Sequence, residues 1–298
     1  MISHYPEFSK LSLDHKDWFT NFVKQYDPYS DFNFVSFFSW NTDGSAEVSL
    51  LNDNLVIRLP DYLDGHPVYS LLGTNDIDES INTLLAATDK LELVPEVVVE
   101  AITAPDVYHI AEDRDNFDYI YSLYHLGEMA GGAYKKKRNK VNVFVKDHEN
   151  YELVIQAKKT LDEQTIADLK ALDRHWATLN SRDQGDILAE RKALDRLLDN
   201  FAQFNATLVE IRVAGELKAF SINEIVDEEY AICHFEKALT VHHENIYTFL
   251  AAEVAKQLHA DGCRWVNWEQ DLGLEGLRRS KESYQPTRML KKFTVKRA

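Results

Sequence analysis

Residues 206–238, ATLVEIRVAGELKAFSINEIVDEEYAICHFEKA, hold three runs in which apolar and polar residues alternate over a composition rich in valine, isoleucine and phenylalanine. Alternation of period two in such a composition predicts strands. The short AGE break between the first two runs predicts a tight hairpin, so the stretch reads as an antiparallel meander. Upstream, YELVIQAK (151–158) predicts one more strand. Two amphipathic helices follow it. The first carries Ile166, Leu169, Leu172, Trp176 and Leu179 at helical spacing, with Thr160 and Glu163 in capping-box register, and the second carries Leu194, Leu197, Leu198 and Phe201. Downstream come a helix over about 245–260 closed by Gly262, a short apolar strand CRWVNW (263–268), a helix GLEGLRRSKESY (273–284) and a last strand PTRMLKKFTV (286–295). The second half therefore runs β-α-α-β-β-β-α-β-α-β, an antiparallel start with a late βαβ unit.

The first half gives a looser echo of that order. A helix is expected over 14–26, strands over 46–51 and 54–59 joined by NDN, and a strand over 67–72. A helix over 76–88, a strand PEVVVEA (95–101), a strand NFDYIYSL (116–123) and a basic helix AYKKKRNKVNVFVKDH (133–148) complete it. A chain of 298 residues is about twice the usual domain size. The expectation is a mixed α+β protein of two tandem domains, residues 1–150 and 151–298, each a mostly antiparallel sheet flanked by helices.

Charge narrows the function classes. Lys and Arg number 33 against 49 Asp and Glu, a net charge of -16, which opposes nonspecific attraction to DNA or anionic membranes. A polyanion would have to meet a local basic patch. Residues 133–146 carry six bases and no acid, and residues 274–298 carry eight bases against two acids. Cys233 and Cys263 make no disulfide framework and read as buried apolar residues in a reducing compartment. No apolar run reaches the roughly 20 residues needed to cross a bilayer, and MISHYPEFSK lacks a signal-peptide pattern, so a cytoplasmic protein is expected. Motifs of the GxSxG, GxxxxGK[ST], GxGxxG and HExxH types are absent from the sequence.

The strand order of the second half resembles that of the GNAT acyltransferase fold. More specifically, SDFNFVSFFSWN (30–41), FDYIYSLYHLGEMAGGAYKKKRNKVNVF (117–144), ICHFEKAL (232–239) and VNWEQDLGLEGLRRSKESYQPTRMLKKF (266–293) resemble the family built on the C-terminal catalytic domain of phosphatidylglycerol lysyltransferase. That resemblance implies two tandem GNAT-like domains related to Fem-type transferases, which pass an aminoacyl group from tRNA to an amine or hydroxyl acceptor. Other GNAT proteins use acyl-CoA. No permanently bound cofactor is expected, only acyl-CoA or aminoacyl-tRNA as co-substrate. The acceptor would be a small molecule or peptide, with tRNA as a candidate partner and a monomer or homodimer both left open. The lysyltransferases carry a membrane-spanning flippase ahead of this domain and this sequence shows none, so an acceptor other than a membrane phospholipid is expected.

Acyl transfer to an amine needs a base for the ammonium proton, a dipole for the oxyanion and an acid for the leaving group. In a GNAT fold the strands after the meander splay apart, and the reacting centre lies between them. Glu236 closes the first of these strands and Glu269 and Asp271 follow the second, which makes them catalytic candidates, while Asn267, at the end of the second strand, suits either a hold on the donor carbonyl or amide or the satisfaction of splayed backbone. Asp271 equally suits the cap of the next helix. Tyr284 fits the leaving-group acid, or a packed core tyrosine on the face of Leu274 and Leu277. Lys135, Arg138, Lys237, Arg278, Arg279, Lys281 and Lys291 are candidates for donor or phosphate contacts. Where a GNAT pyrophosphate loop carries glycine, this chain reads EKALTVHHEN without one, which weakens the acyl-CoA reading. His242 and His243 could supply charge there, though no further His or Cys stands at metal-ligand spacing. The alternative class is a non-catalytic tandem protein that binds a phosphorylated or acidic small molecule as a sensor or partner.

Overall fold

The computed structural model describes residues 2–60, 66–149, 153–179 and 183–298. Two compact units emerge, each discontinuous in sequence. The first comprises Met1–Asp118, Gln270–Arg278 and Met289–Ala298, the second Tyr119–Glu269 and Arg279–Arg288. The domain boundary expected at 150 and 151 falls on residues outside those described.

In the first unit, β1 (Ser9–Lys10), β2 (Glu47–Leu51), β3 (Asn54–Pro60) and β4 (Pro67–Leu72) form an antiparallel sheet in that order. The NDN hairpin is tight because Asn52 and Asp53 both take left-handed backbones, with φ of 50° and 60°, the geometry of a two-residue primed turn. A second sheet holds β5 (Leu91–Pro95), β14 (Lys292–Arg297) and β6 (Tyr108–Glu112), with β14 antiparallel to both neighbours. The helices are α1 (Lys16–Val23), α2 (Phe34–Trp40), α3 (Ile77–Leu84) and α4 (Glu96–Glu100). The strand expected over PEVVVEA is α4 instead. Pro95 ends β5, and the turn of helix that follows buries Val98 among Ile77, Ile81, Leu84 and Leu91. Burial in that core outweighs the β preference of three valines, which is a weak and context-dependent bias.

The second unit is built on a seven-stranded sheet. Its strands are β7 (Asp118–Ser122), β8 (Leu153–Lys158), β9 (Ala206–Val213), β10 (Glu216–Ile225), β11 (Tyr230–Ala238), β12 (Trp265–Asn267) and β13 (Arg288–Leu290). They lie in the order β13-β7-β12-β11-β10-β9-β8. The expected meander is β9 to β11, and the AGE hairpin turns at Ala214 and Gly215, with φ of 52° and 81°. The helices are α5 (Leu123–Glu128), α6 (Lys135–Asp147), α7 (Glu163–Leu179), α8 (Gln184–Asp199) and α9 (Ile246–Ala260), while α10 (Glu275–Glu282) is divided between the units after Arg278. The cap of α7 is Asp162, whose carboxylate accepts the Thr165 N–H at 2.7 Å, and not Thr160.

Two of these three sheets take a strand from a distant part of the sequence. β7, from the first half of the chain, lies between β12 and β13, and β14, the last strand, lies between β5 and β6. The single strand expected over 286–295 is therefore two strands that serve different sheets. Both cysteines are buried thiols. No helix among the described residues is long and apolar enough to cross a membrane.

Candidate active site in the second unit

β11 and β12 pair in parallel only from Tyr230–Ile232 against Trp265–Asn267. β11 runs on to Ala238, whereas β12 stops at Asn267. What stops it is local: Glu269 takes a left-handed backbone with φ of 54°, and Asn267 Oδ1 accepts the Glu269 N–H at 2.6 Å. The chain then follows β7, since the Trp268 N–H donates to the Tyr119 carbonyl at 2.9 Å. The two strands thus part beyond Ile232 and Asn267. Asn267 spends its side chain holding that parting open.

Glu236 lies on the stretch of β11 that runs on past β12, where it still pairs with Ser221 of β10. Burial pushes its carboxyl up to about 7, and the Lys281 ammonium pulls it partway back. Lys281 is itself fixed, donating to the carbonyls of Trp268 and Glu269. Tyr284 is buried with its hydroxyl donating to Thr248 Oγ1 at 3.3 Å, and burial pushes the phenol up to about 12. Its ring meets the edge of Trp268 at 5.2 Å and the ammonium of Lys137 at 3.2 Å. Glu236, Lys281 and Tyr284 are thereby brought into one electrostatic neighbourhood.

Glu269 points to His234, whose Nδ1 lies 3.3 Å from its Oε1, while Nε2 lies 3.4 Å from Glu224 Oε2. His234 is the extra residue of a bulge, because Ile222 faces Phe235 and Asn223 faces Cys233. Burial pushes the imidazole down, yet Glu224 and Glu269 outweigh it and hold it up at about 9. A group raised on folding stabilises fully below its unfolded value and loses that contribution as pH climbs through its folded one. The window here runs from about 6.5 to about 9. His234→Leu is expected to flatten the decline of unfolding free energy across that window by about 1–3 kcal/mol. Urea denaturation at several pH values checks it, and parallel curves for the two proteins would count against the ion triplet.

The remaining candidates fall elsewhere. Asp271 belongs to the first unit, fully buried, with Arg278 donating to both its oxygens at 2.7 and 2.9 Å, Arg114 at 3.1 Å and the Gly273 N–H at 2.9 Å. That is the work of a turn-holding carboxylate rather than a free base. Lys291, also in the first unit, faces Glu112 at 2.8 Å. Lys237 is buried, 2.6 Å from Glu190 and 3.3 Å from the Trp176 ring centre. Arg138 donates to the Met129 carbonyl at 2.5 Å, and Lys135 and Arg279 are exposed. His243 shares a 2.8 Å hydrogen bond with His148, so it is turned to a neighbouring imidazole. His242 is exposed, with a left-handed backbone of φ 63°.

His234, Glu224 and Lys137 enter the site without having been singled out from the sequence. For Lys137 a signal was present: Tyr134, Lys137, Val141, Phe144 and His148 recur at helical spacing and form the inward stripe of α6. For His234 none was, since a bulge is invisible to alternation. No group of three or more His, Cys, Asp or Glu residues among the described residues could hold a metal ion.

Mixed, antiparallel-rich sheets flanked by helices, with a parallel pair that parts midway, make a GNAT-like fold similar to that of FemX. The chain belongs to the phosphatidylglycerol lysyltransferase C-terminal family, whose model matches residues 25–296. A conserved protein of unknown function from Bacteroides thetaiotaomicron VPI-5482 is 27% identical over 100% of both chains, with a TM-score of 0.82. The C-terminal domain of a putative lysylphosphatidylglycerol synthetase from Agrobacterium fabrum is 13% identical, covering 96% of this chain and 93% of that one at a TM-score of 0.67. FemX is 9% identical, with 97% and 96% covered and a TM-score of 0.58. Family and fold are thus aminoacyltransferase and GNAT-like.

Proposed function

We propose that this protein is an acyltransferase, most simply an aminoacyltransferase, that moves an acyl group from aminoacyl-tRNA or acyl-CoA to an amine or hydroxyl acceptor by direct attack. The supporting observation is Glu236, a half-buried carboxyl pushed up to about 7 on the stretch of β11 beyond the point where β11 and β12 part. A base is most effective when its affinity for protons sits near the working pH. The acceptor nitrogen or oxygen attacks the acyl carbonyl and gives its proton to Glu236. As the new C–N or C–O bond forms, the bond to the donor breaks, and the leaving oxygen or sulfur takes a proton from Tyr284. Burial keeps that phenol protonated, and its proton must swing from Thr248 Oγ1 to the leaving atom. His234 and Lys281 hold the Glu269 turn in place.

Between donors, the glycine-free run from Leu239 to Asn245 favours tRNA, because close backbone approach to a pyrophosphate is what glycine permits. Exposed bases on α6, Lys135, Lys136 and Lys140, are the contacts that reading needs. Titration of the protein with charged tRNA and with acetyl-CoA tests it. A tRNA user is expected to lose about tenfold or more in affinity between low and moderate salt, whereas acetyl-CoA, with few phosphates, loses little. Binding of neither overturns the reading. Binding without transfer to any acceptor favours the sensor instead.

A further inference from the structure

β8 ends the seven-stranded sheet. Among the described residues no strand lies beyond it, so the N–H and C=O groups of its alternate residues point out of the sheet. Edge strands are usually guarded against pairing with another chain by a proline, a bulge or an outward lysine. β8 has no such guard. LVIQAK holds no proline, and its register against β9 is unbroken from Leu153 to Lys158. Its one lysine is tied back to its own unit, with the Lys158 ammonium 2.8 Å from Glu210 Oε1 and 3.2 Å from Thr165 Oγ1. On the face that packs against α9, a groove of about 190 Å³ runs beside the edge, with Ile155, Ala157 and Val209 as its floor and Glu253, Lys256 and Gln257 as its helical wall. Ile155 is 42% exposed there, although Val209 and Ile211 on the same face of β9 are closed to solvent.

Size and charge choose the occupant. Side chains on one face of a strand recur every second residue, so an antiparallel copy related by a two-fold axis through Gln156 sets Ile155 beside the partner's Ala157, and Ala157 beside the partner's Ile155. A large apolar side chain meets a small one twice, on the face that lines the groove. Gln156 meets its own copy on the other face, where two side-chain amides exchange hydrogen bonds. The chain carries a net charge of -16, so two copies repel over most of their surface. Beside this edge the charges come in opposite-sign pairs, Lys158 with Glu210, Arg212 with Asp168 at 2.7 Å and Lys256 with Glu253 at 2.7 Å. We propose that the β8 edge is the seam of a homodimer, in which two copies pair β8 antiparallel about a two-fold axis at Gln156 and join their sheets. That seam is independent of the acyl-transfer reading.

Sedimentation equilibrium of the full chain tests it. The expected mass at micromolar concentration is twice the 34.4 kDa of one chain. Ile155→Lys brings a charge into the seam and is expected to weaken association by about tenfold or more, with the far-ultraviolet circular dichroism spectrum unchanged. Gln156→Cys reads the register. The axis sets the two introduced thiols side by side, and both native cysteines are buried, so a short bifunctional thiol reagent should link the dimer through this position and not through Val241→Cys, which is exposed elsewhere. A parent that stays monomeric overturns the proposal, and protection of its β8 amides from hydrogen exchange by an added extended peptide would then give the edge to a peptide partner. A dimer that Ile155→Lys leaves intact, or that Gln156→Cys does not link, overturns it as well, because its interface lies elsewhere.

Discussion

Replacing Glu236 by Gln is expected to lower the rate of acyl transfer by about 10²- to 10³-fold, the usual contribution of a positioned general base, with little change in the midpoint of urea unfolding. The expected pH behaviour is more specific than the loss itself. A base must be ionised, so kcat/KM in the parent should climb with pH through a midpoint near 7 and then level off, and the climb should vanish in Glu236→Gln. The sign of a second change follows from the same electrostatics. Lys281 pulls the carboxyl down, so Lys281→Met should move the midpoint upward. A Gln variant that retains the parental rate and pH profile would remove Glu236 from the chemistry.

The meander that carries Glu236 was legible because its strands are neighbours in sequence as well as in the sheet, so alternation and one hairpin turn suffice to define it. α7, α8 and α9 were legible for the same reason, as helical periodicity is a property of one segment. The exchange of β7 and β14 was not. A strand's own residues specify that it is extended, while its partners are set by which sheet has an edge of matching register. NFDYIYSL therefore reads as a strand without revealing that Val266 and Asn267 are its partners, through Tyr121 and Ile120. The site divides along the same line. Glu236 and Asn267 were reached through strand ends, but whether Asp271 or Lys237 is free depends on what lies opposite. Arg278 and Glu190 lie 7 and 47 residues away in sequence.

The adjacent pair Lys291 and Lys292 carries the largest stability contrast expected in the chain. Lys291 is partly exposed beside Glu112 and Glu96, in a pair that solvent screens, so Lys291→Met should leave unfolding free energy nearly unchanged. Lys292 opens β14 from a position closed to solvent, where its ammonium contacts Asp31, lies 2.9 Å from Asp118 Oδ1 and donates to Ser30 Oγ at 3.2 Å. Asp118 also accepts the Ser30 N–H at 2.8 Å and its hydroxyl at 2.7 Å. Two buried carboxylates thus share one buried cation. Lys292→Met keeps the length of the side chain and removes that cation, which leaves the two buried carboxylates of Asp31 and Asp118 without the charge they share. The expected loss is about 3–5 kcal/mol, the cost of breaking a buried ion pair from one side. Adding Asp118→Asn to Lys292→Met should restore part of it, because one of the two uncompensated charges is then gone. Urea denaturation of the four proteins measures both terms. Equal losses for the two lysines, or no recovery in the double variant, would mean that β14 is held by its ladder and its apolar face alone.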